Sequence, residues 1–211
     1  MKNMAILLMC CALTACGWRS PPPDYYVLAP LASDMQAAPS PTLALEKNAP
    51  GVLLRKISLP AYLEREALVL RKGQEVRLVV AQSALWAEAL DSALPRLLEE
   101  SMRPVVQQKG LDITWENANP SPVILVDVTI LRFDGNPGHK VWLDARWRML
   151  DRNENLLAQG VVGRNSEAGE NNAEMVQALG QLGVELGRDL ADAAIMAYAR
   201  MKEKDPNIRR N

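Results

Sequence analysis

Past residue 16 the chain contains no cysteine: its three Cys stand at positions 10, 11 and 16 of 211 residues. An internal disulfide, a cysteine-ligated metal and a cysteine nucleophile are therefore excluded from the body of the protein. Histidine is almost as scarce, with His139 alone. Zinc sites take three or four clustered ligands, so the sequence predicts no metal. His139 sits in "GNPGHK", a turn signal, and reads as a solvated residue rather than a general base. Charge of one sign is also lacking, since 24 Lys and Arg face 25 Asp and Glu for a net charge of -1. No global basic field is available to attract nucleic acid. No G-x-S-x-G elbow, H-E-x-x-H, P-loop or G-x-G-x-x-G occurs. Glu64 and Glu66 in "YLEREAL", and the acids of "GRNSEAGENN", alternate with basic or small polar residues as a solvated surface does. A hydrolase working through carboxylates alone has no positive sign in the sequence, and neither catalytic residues nor a cofactor are expected.

Long apolar runs are missing too. The longest, "MAILLMCCAL" (4–13), falls well short of the about 20 residues that span a bilayer. It follows Lys2 and precedes the small residues Thr14 and Ala15, which is the order of a secretory signal. "LTAC" (13–16) is similar to the lipobox of bacterial lipoproteins, in which cleavage leaves the cysteine first and its thiol carries diacylglycerol. Residues 1–15 are then a signal peptide, Cys10 and Cys11 leave with it, and Cys16 is the lipid attachment site. Acyl chains contribute about 0.8 kcal/mol per buried methylene, so two or more hold a protein stably on a membrane. Residue 17 is Gly rather than the Asp that retains enteric-type lipoproteins in the inner membrane, which favours the outer membrane. "CGWRSPPPD" (16–24) reads as a tether whose prolines favour polyproline II, and Trp18 stands where an amphipathic ring can rest among headgroups.

The rest reads as one compact α/β domain over 25–204 with a frayed tail at 205–211. "YYVLAP" (25–30) and "VLLRKISLP" (52–60) are β-prone and end at prolines, with a long connection at 31–51. "ALVLRKGQEVRLVVAQS" (67–83) predicts a hairpin turning at Gly73. Trp86, Leu90, Leu94, Leu97, Leu98, Met102, Val105 and Val106 recur at helical steps, which predicts a helix capped by Ser83, stopped by Gly110, and kinked or broken near Pro95. "LDITWE" (111–116) is a strand. The runs 123–133, 140–150 and 156–164, separated by turn signals, predict an antiparallel meander.

Within 140–150 Val141, Leu143, Ala145, Trp147 and Met149 point one way, and Trp142, Asp144, Arg146 and Arg148 the other. Trp142 and Arg146 on the wet face are candidates for a partner surface, because aromatic and Arg residues are common in interfaces. Met175, Leu179, Leu182, Leu186, Leu190, Ala193 and Ala197 mark a final helix, in which Gly180, Gly183 and Gly187 imply a close approach to the sheet or to a neighbouring chain. Self-association is allowed by these features and not required. The sum is a mixed, mostly antiparallel sheet packed by two main helices.

"LTACG" with its proline-rich spacer and "YYVLAP", "LPAYLEREALVLR" (59–71) and "LWAEALDSALPRLLEESM" (85–102) together resemble the PqiC-like family, lipoprotein auxiliary subunits of ABC-type or MCE-type intermembrane transport systems. The resemblance spans essentially all of the chain after Cys16; Pro95 and Pro104 depart from a regular first helix. It implies a non-enzymatic protein held by Cys16 in the inner leaflet of the outer membrane. Its partners would be a periplasm-spanning MCE-type protein and an inner-membrane permease, moving lipids or related hydrophobic molecules. The same anchor and fold would also serve an assembly lipoprotein of another envelope complex, for secretion or outer-membrane biogenesis.

Overall fold

A computed structural model of the chain describes residues 22–29, 49–72, 75–115 and 122–204. Among them run β1 (Asp24–Tyr26), β2 (Gly51–Ser58), a 3-10 turn (Ala61–Leu63), β3 (Ala67–Leu70), β4 (Val79–Trp86), α1 (Leu90–Gln107), β5 (Asp112–Thr114), β6 (Pro122–Gly135), β7 (Lys140–Leu150), β8 (Leu156–Glu167) and α2 (Asn172–Lys204). The strands form one mixed sheet, and both helices pack against it. The predicted architecture of two helices on a mixed sheet is the observed one.

The long strand β6 organises the sheet. On one edge it pairs antiparallel with β7 and, through β7, with β8, which is the predicted meander. The other edge is shared: β2 runs parallel to the first half of β6, and β3 joins parallel only at its end, where Leu70 lies beside Gly135. β5 extends the sheet parallel to β2, and β4 pairs antiparallel with β3 before β1 closes that side parallel to β4. The meander was legible because its strands are neighbours in sequence. The parallel pairings join strands distant in the chain, and local pattern does not encode them.

Side chains alternate as the pleat demands. Ile124, Val126, Val128, Ile130 and Phe133 of β6, with Val141, Leu143, Ala145 and Met149 of β7, are all buried beneath the helices. The helices answer with Leu94, Leu97, Leu98 and Met102 from α1, and Leu179, Leu182, Leu186 and Leu190 from α2, each at most 2 % exposed. Asn171 caps α2 by accepting the Glu174 N–H at 3.0 Å. The helix glycines approach α1 and the segment after β1 rather than the sheet: a Cβ on Gly183 would lie 2.5 Å from Leu97, one on Gly187 would strike Ser101, and one on Gly180 would lie 2.7 Å from the Ala29 carbonyl.

Three local expectations are corrected. The first helix begins at Leu90 behind Ala89, not at Ser83. Ser83 and Trp86 belong to β4, because Leu85 is paired by both β3 and β1, Trp86 is paired by β1, and the Trp86 N–H reaches the carbonyl of Glu66, just before β3, at 2.6 Å. Nor does α1 break at Pro95: the helix runs through both Pro95 and Pro104. Each proline forgoes one intrahelical bond, and the buried row from Leu90 to Val106 offsets that loss. The first strand is shorter than predicted and ends at Tyr26, beside the end of β4. Gly110 does end the helix, at φ +73°. The Leu111 and Gly110 N–H groups return to the Val106 and Gln107 carbonyls at 3.2 and 3.0 Å, the Schellman arrangement. The turn expected at Gly73 lies outside the described residues.

Candidate docking face

The face of the sheet away from the helices is polar, and two buried carboxylates organise it. Asp127 and Asp134 stand on the outward side of β6 yet are only 8 % and 1 % exposed. A carboxylate so enclosed is costly unless it is paired, and each is ringed by arginines from neighbouring elements. Asp127 accepts two hydrogen bonds from Arg55 of β2, at 2.9 and 2.7 Å, and one from Arg148 of β7 at 2.9 Å. Arg55 also reaches Glu154 in the β7–β8 turn at 2.6 Å. Hydrogen bonding to Arg55, then to Arg148, holds the Asp127 carboxyl below its ordinary range.

Asp134 is the second centre. Arg132 donates to it at 2.8 Å, Arg71 at 3.0 Å and the Tyr62 hydroxyl at 3.0 Å. Burial and the Asp134 charge together push the Tyr62 hydroxyl up to about 12, so it stays protonated and donates. The Arg132 guanidinium lies 4.2 Å from the centre of the Trp142 ring, a cation–π contact that pins the indole against the face. These arginines are engaged by carboxylates, and their hydrogen bonds favour the ionised form of Asp127. The arrangement is a structural charge lattice in which Asp127 and Asp134 are both engaged by arginines.

Both residues expected to contact a partner lie on this face. Trp142 is half-buried under Arg132, and Arg146, two pleat repeats further along β7 and beyond Asp144, is exposed. The sheet register sets Arg146 between Thr129 of β6 and Val161 of β8. Val161 is 73 % exposed and Leu131 39 %. An exposed Arg, a pinned Trp and two exposed aliphatic residues make a surface of the composition protein interfaces favour. Val161 and Leu131 were not singled out in the sequence, although the alternation of "LAQGVVG" carried the signal for Val161.

The other residues weighed earlier go elsewhere. His139 is exposed in the β6–β7 turn, where its carbonyl accepts the Ala168 N–H at 2.8 Å. Glu64 and Glu66 are exposed. No group of three or more metal-ligating side chains occurs among the described residues, and among them no helix is long and apolar enough to cross a membrane. Cys16, Trp18 and the predicted tether up to residue 21 lie outside the described residues.

A family model for the ABC-type transport auxiliary lipoprotein component matches residues 30–191. The chain belongs to that family. The auxiliary lipoprotein also shares its fold with solved structures. A crystal structure of an uncharacterized protein aligns with 82 % of this chain and 98 % of its own, at 18 % identity and a TM-score of 0.65. A protein from Xanthomonas campestris aligns with 86 % of this chain and 97 % of its own, at 16 % identity and a TM-score of 0.57. At such identities the likeness is one of fold. Among curated proteins none matches in sequence. The resemblance carried by residues 59–71 and 85–102 thus led to the right family, and both segments fall inside the matched region. In the fold they become the 3-10 turn with β3, and the end of β4 with the first turns of α1.

Proposed function

We propose that this auxiliary lipoprotein is a non-enzymatic docking subunit of an intermembrane lipid transport system of the MCE/ABC type, anchored in the outer membrane through acylated Cys16. The observation that carries the reading is the family match across most of the chain. The N-terminal pattern of charge, apolar run and "LTAC" supports the anchor, and the non-Asp residue after Cys16 supports the outer membrane over the inner one. The polar face supports docking over catalysis, because its two buried carboxylates, Asp127 and Asp134, are engaged by arginines. Trp142 and Arg146 are the surface offered to the periplasm-spanning partner, which in turn connects to an inner-membrane permease.

Two experiments test the reading. Crosslinking in intact envelopes followed by affinity capture of the acylated protein should recover an MCE-type protein; repeated capture without one would sink the docking role. Separately, Cys16→Ala should abolish acylation and leave precursor or soluble protein. Normal membrane fractionation and full function of that variant would overturn the anchor.

A further inference from the structure

The β3–β4 hairpin is an arm that projects from the body. Val79 and Val80 are adjacent on β4 and therefore face opposite sides of the strand, yet both are close to half exposed, at 46 % and 44 %. Val76, beyond them, is 94 % exposed, and Lys72 and Arg77 are exposed beside it. The arm is held firmly at its base. Arg71 donates through Nε to Asp134 at 3.0 Å and through Nη1 to the Glu75 carbonyl at 3.3 Å, and its backbone N–H reaches the Gly135 carbonyl at 2.7 Å. Isolated exposed aliphatic residues need no explanation. Three of them at one projecting end, with the cations Lys72 and Arg77 outnumbering the single acid Glu75, have the composition of a surface that meets lipid headgroups.

The register of β1 says where the membrane lies. β1 runs parallel to β4, with Asp24 beside Ala84 and Tyr26 beside Trp86. The chain before Asp24 therefore arrives from the side to which the arm points. Cys16 precedes Asp24 by eight positions, as Val76 precedes Ala84 by eight. Eight residues span at most about 28 Å even when fully extended. A bilayer holding Cys16 therefore cannot stand farther from Asp24 than that reach, on the side where β4 begins at Val79 and the arm continues beyond it to Val76.

We propose that the arm is a second, non-covalent membrane contact, in which Val76 enters the headgroup region of the leaflet that holds the Cys16 anchor while Lys72 and Arg77 meet lipid phosphates. This rests on the anchoring of Cys16 argued above. The arm then sets the orientation of the domain, which a single point of attachment would leave undetermined.

Cys16 is the last cysteine of the sequence, so Val76→Cys in the full-length acylated protein adds one free thiol for an environment-sensitive fluorophore. The reference is Asn153→Cys, exposed in the β7–β8 turn at the opposite end of the strands. Each labelled protein is reconstituted through its acyl chains into phosphatidylethanolamine–phosphatidylglycerol vesicles, with and without brominated acyl chains. The expected result is co-flotation of both proteins, with blue-shifted emission and quenching by brominated lipid at position 76 and neither at 153. Flotation with position 76 unquenched, or with both positions quenched alike, would overturn the arm contact while leaving the anchor intact. Failure of the unsubstituted protein to carry acyl chains and float would overturn the anchor, and this proposal with it.

Discussion

Asp127 and Asp134 do the same work in different solvents. Asp134 has no exposed side-chain surface, and its partners Arg71 and Arg132 are 19 % and 12 % exposed. The Asp127 side chain is 10 % exposed, but that of Arg148 beside it is 58 % exposed and screened by water. Removing one member of a buried pair leaves the other charge uncompensated, so Asp134→Asn should destabilise the fold by about 3–5 kcal/mol. Asp127→Asn should cost less, about 2 kcal/mol at neutral pH. Urea midpoints at pH 7 order the two variants. The pH dependence belongs to Asp127, whose folded carboxyl lies below its ordinary value of 3.8. A group depressed by folding stabilises above the unfolded value and loses that contribution as pH falls through the folded one. The gap between wild type and Asp127→Asn should therefore be full at pH 7 and should shrink as pH drops below 3.8. A constant gap across that window would show that Asp127 acts through packing and not through its charge. Neither aspartate was picked out from the sequence, although an acid inside the apolar run "VILVDVTILRF" is a readable sign: such a residue must be paired.

Between elements, the contact of α1 with α2 depends on what α2 lacks. Ala normally gains up to about 1 kcal/mol over Gly inside a helix. At Gly187 the gain is overridden, because the new Cβ would lie 2.9 Å from Ser101 Cβ as well as against its hydroxyl, so rotating the serine does not clear the space. Gly187→Ala should lose about 1–3 kcal/mol through overpacking, read as a lower urea midpoint with an unchanged slope; a stabilised variant would show that the helices separate at little cost. The stripe of α2 was legible from Met175 to Ala197 because one helix face writes its own period. The start of α1 was not, because Trp86 and Leu90 happen to fit a helical step while backbone pairing with β1 and the bond to the Glu66 carbonyl keep Trp86 in a strand. Pro95, near which the sequence predicts a kink or break, does not break the helix, for a related reason. Its local cost is real, but the apolar row on either side of it is buried as one surface.

At the scale of the whole molecule, the strands separate two surfaces. The arm points to the end from which the tether arrives, while the β6–β7–β8 face looks sideways from the sheet, away from the helices. On the proposed anchoring, a domain held at one end by lipid and by its arm would present the other surface along the membrane plane or into the periplasm, within reach of the proposed spanning partner. The class of the fold was legible in the sequence, since the helix stripes and the meander are local patterns. The wet side of β7 with Trp142 and Arg146 was legible too, but the charge clusters of that face were not, because Arg55 and Arg71 come to Asp127 and Asp134 only through the parallel pairing of β2 and β3 with β6. Arg146 is the residue to test, because it lies on that face, is exposed, and takes part in none of those ion pairs. Exposed substitutions outside such networks usually change stability by less than about 0.5 kcal/mol, so Arg146→Glu should leave the urea midpoint unchanged. Reversing its charge at an interface should lower recovery of the periplasm-spanning partner by roughly tenfold, the equivalent of about 1.4 kcal/mol. Trp142→Ala is the weaker probe, since it also removes the ring under Arg132 and so disturbs the Asp134 cluster. Undiminished capture by folded Arg146→Glu would move the docking site off this face, and the helical side of the domain would then be the surface left to search.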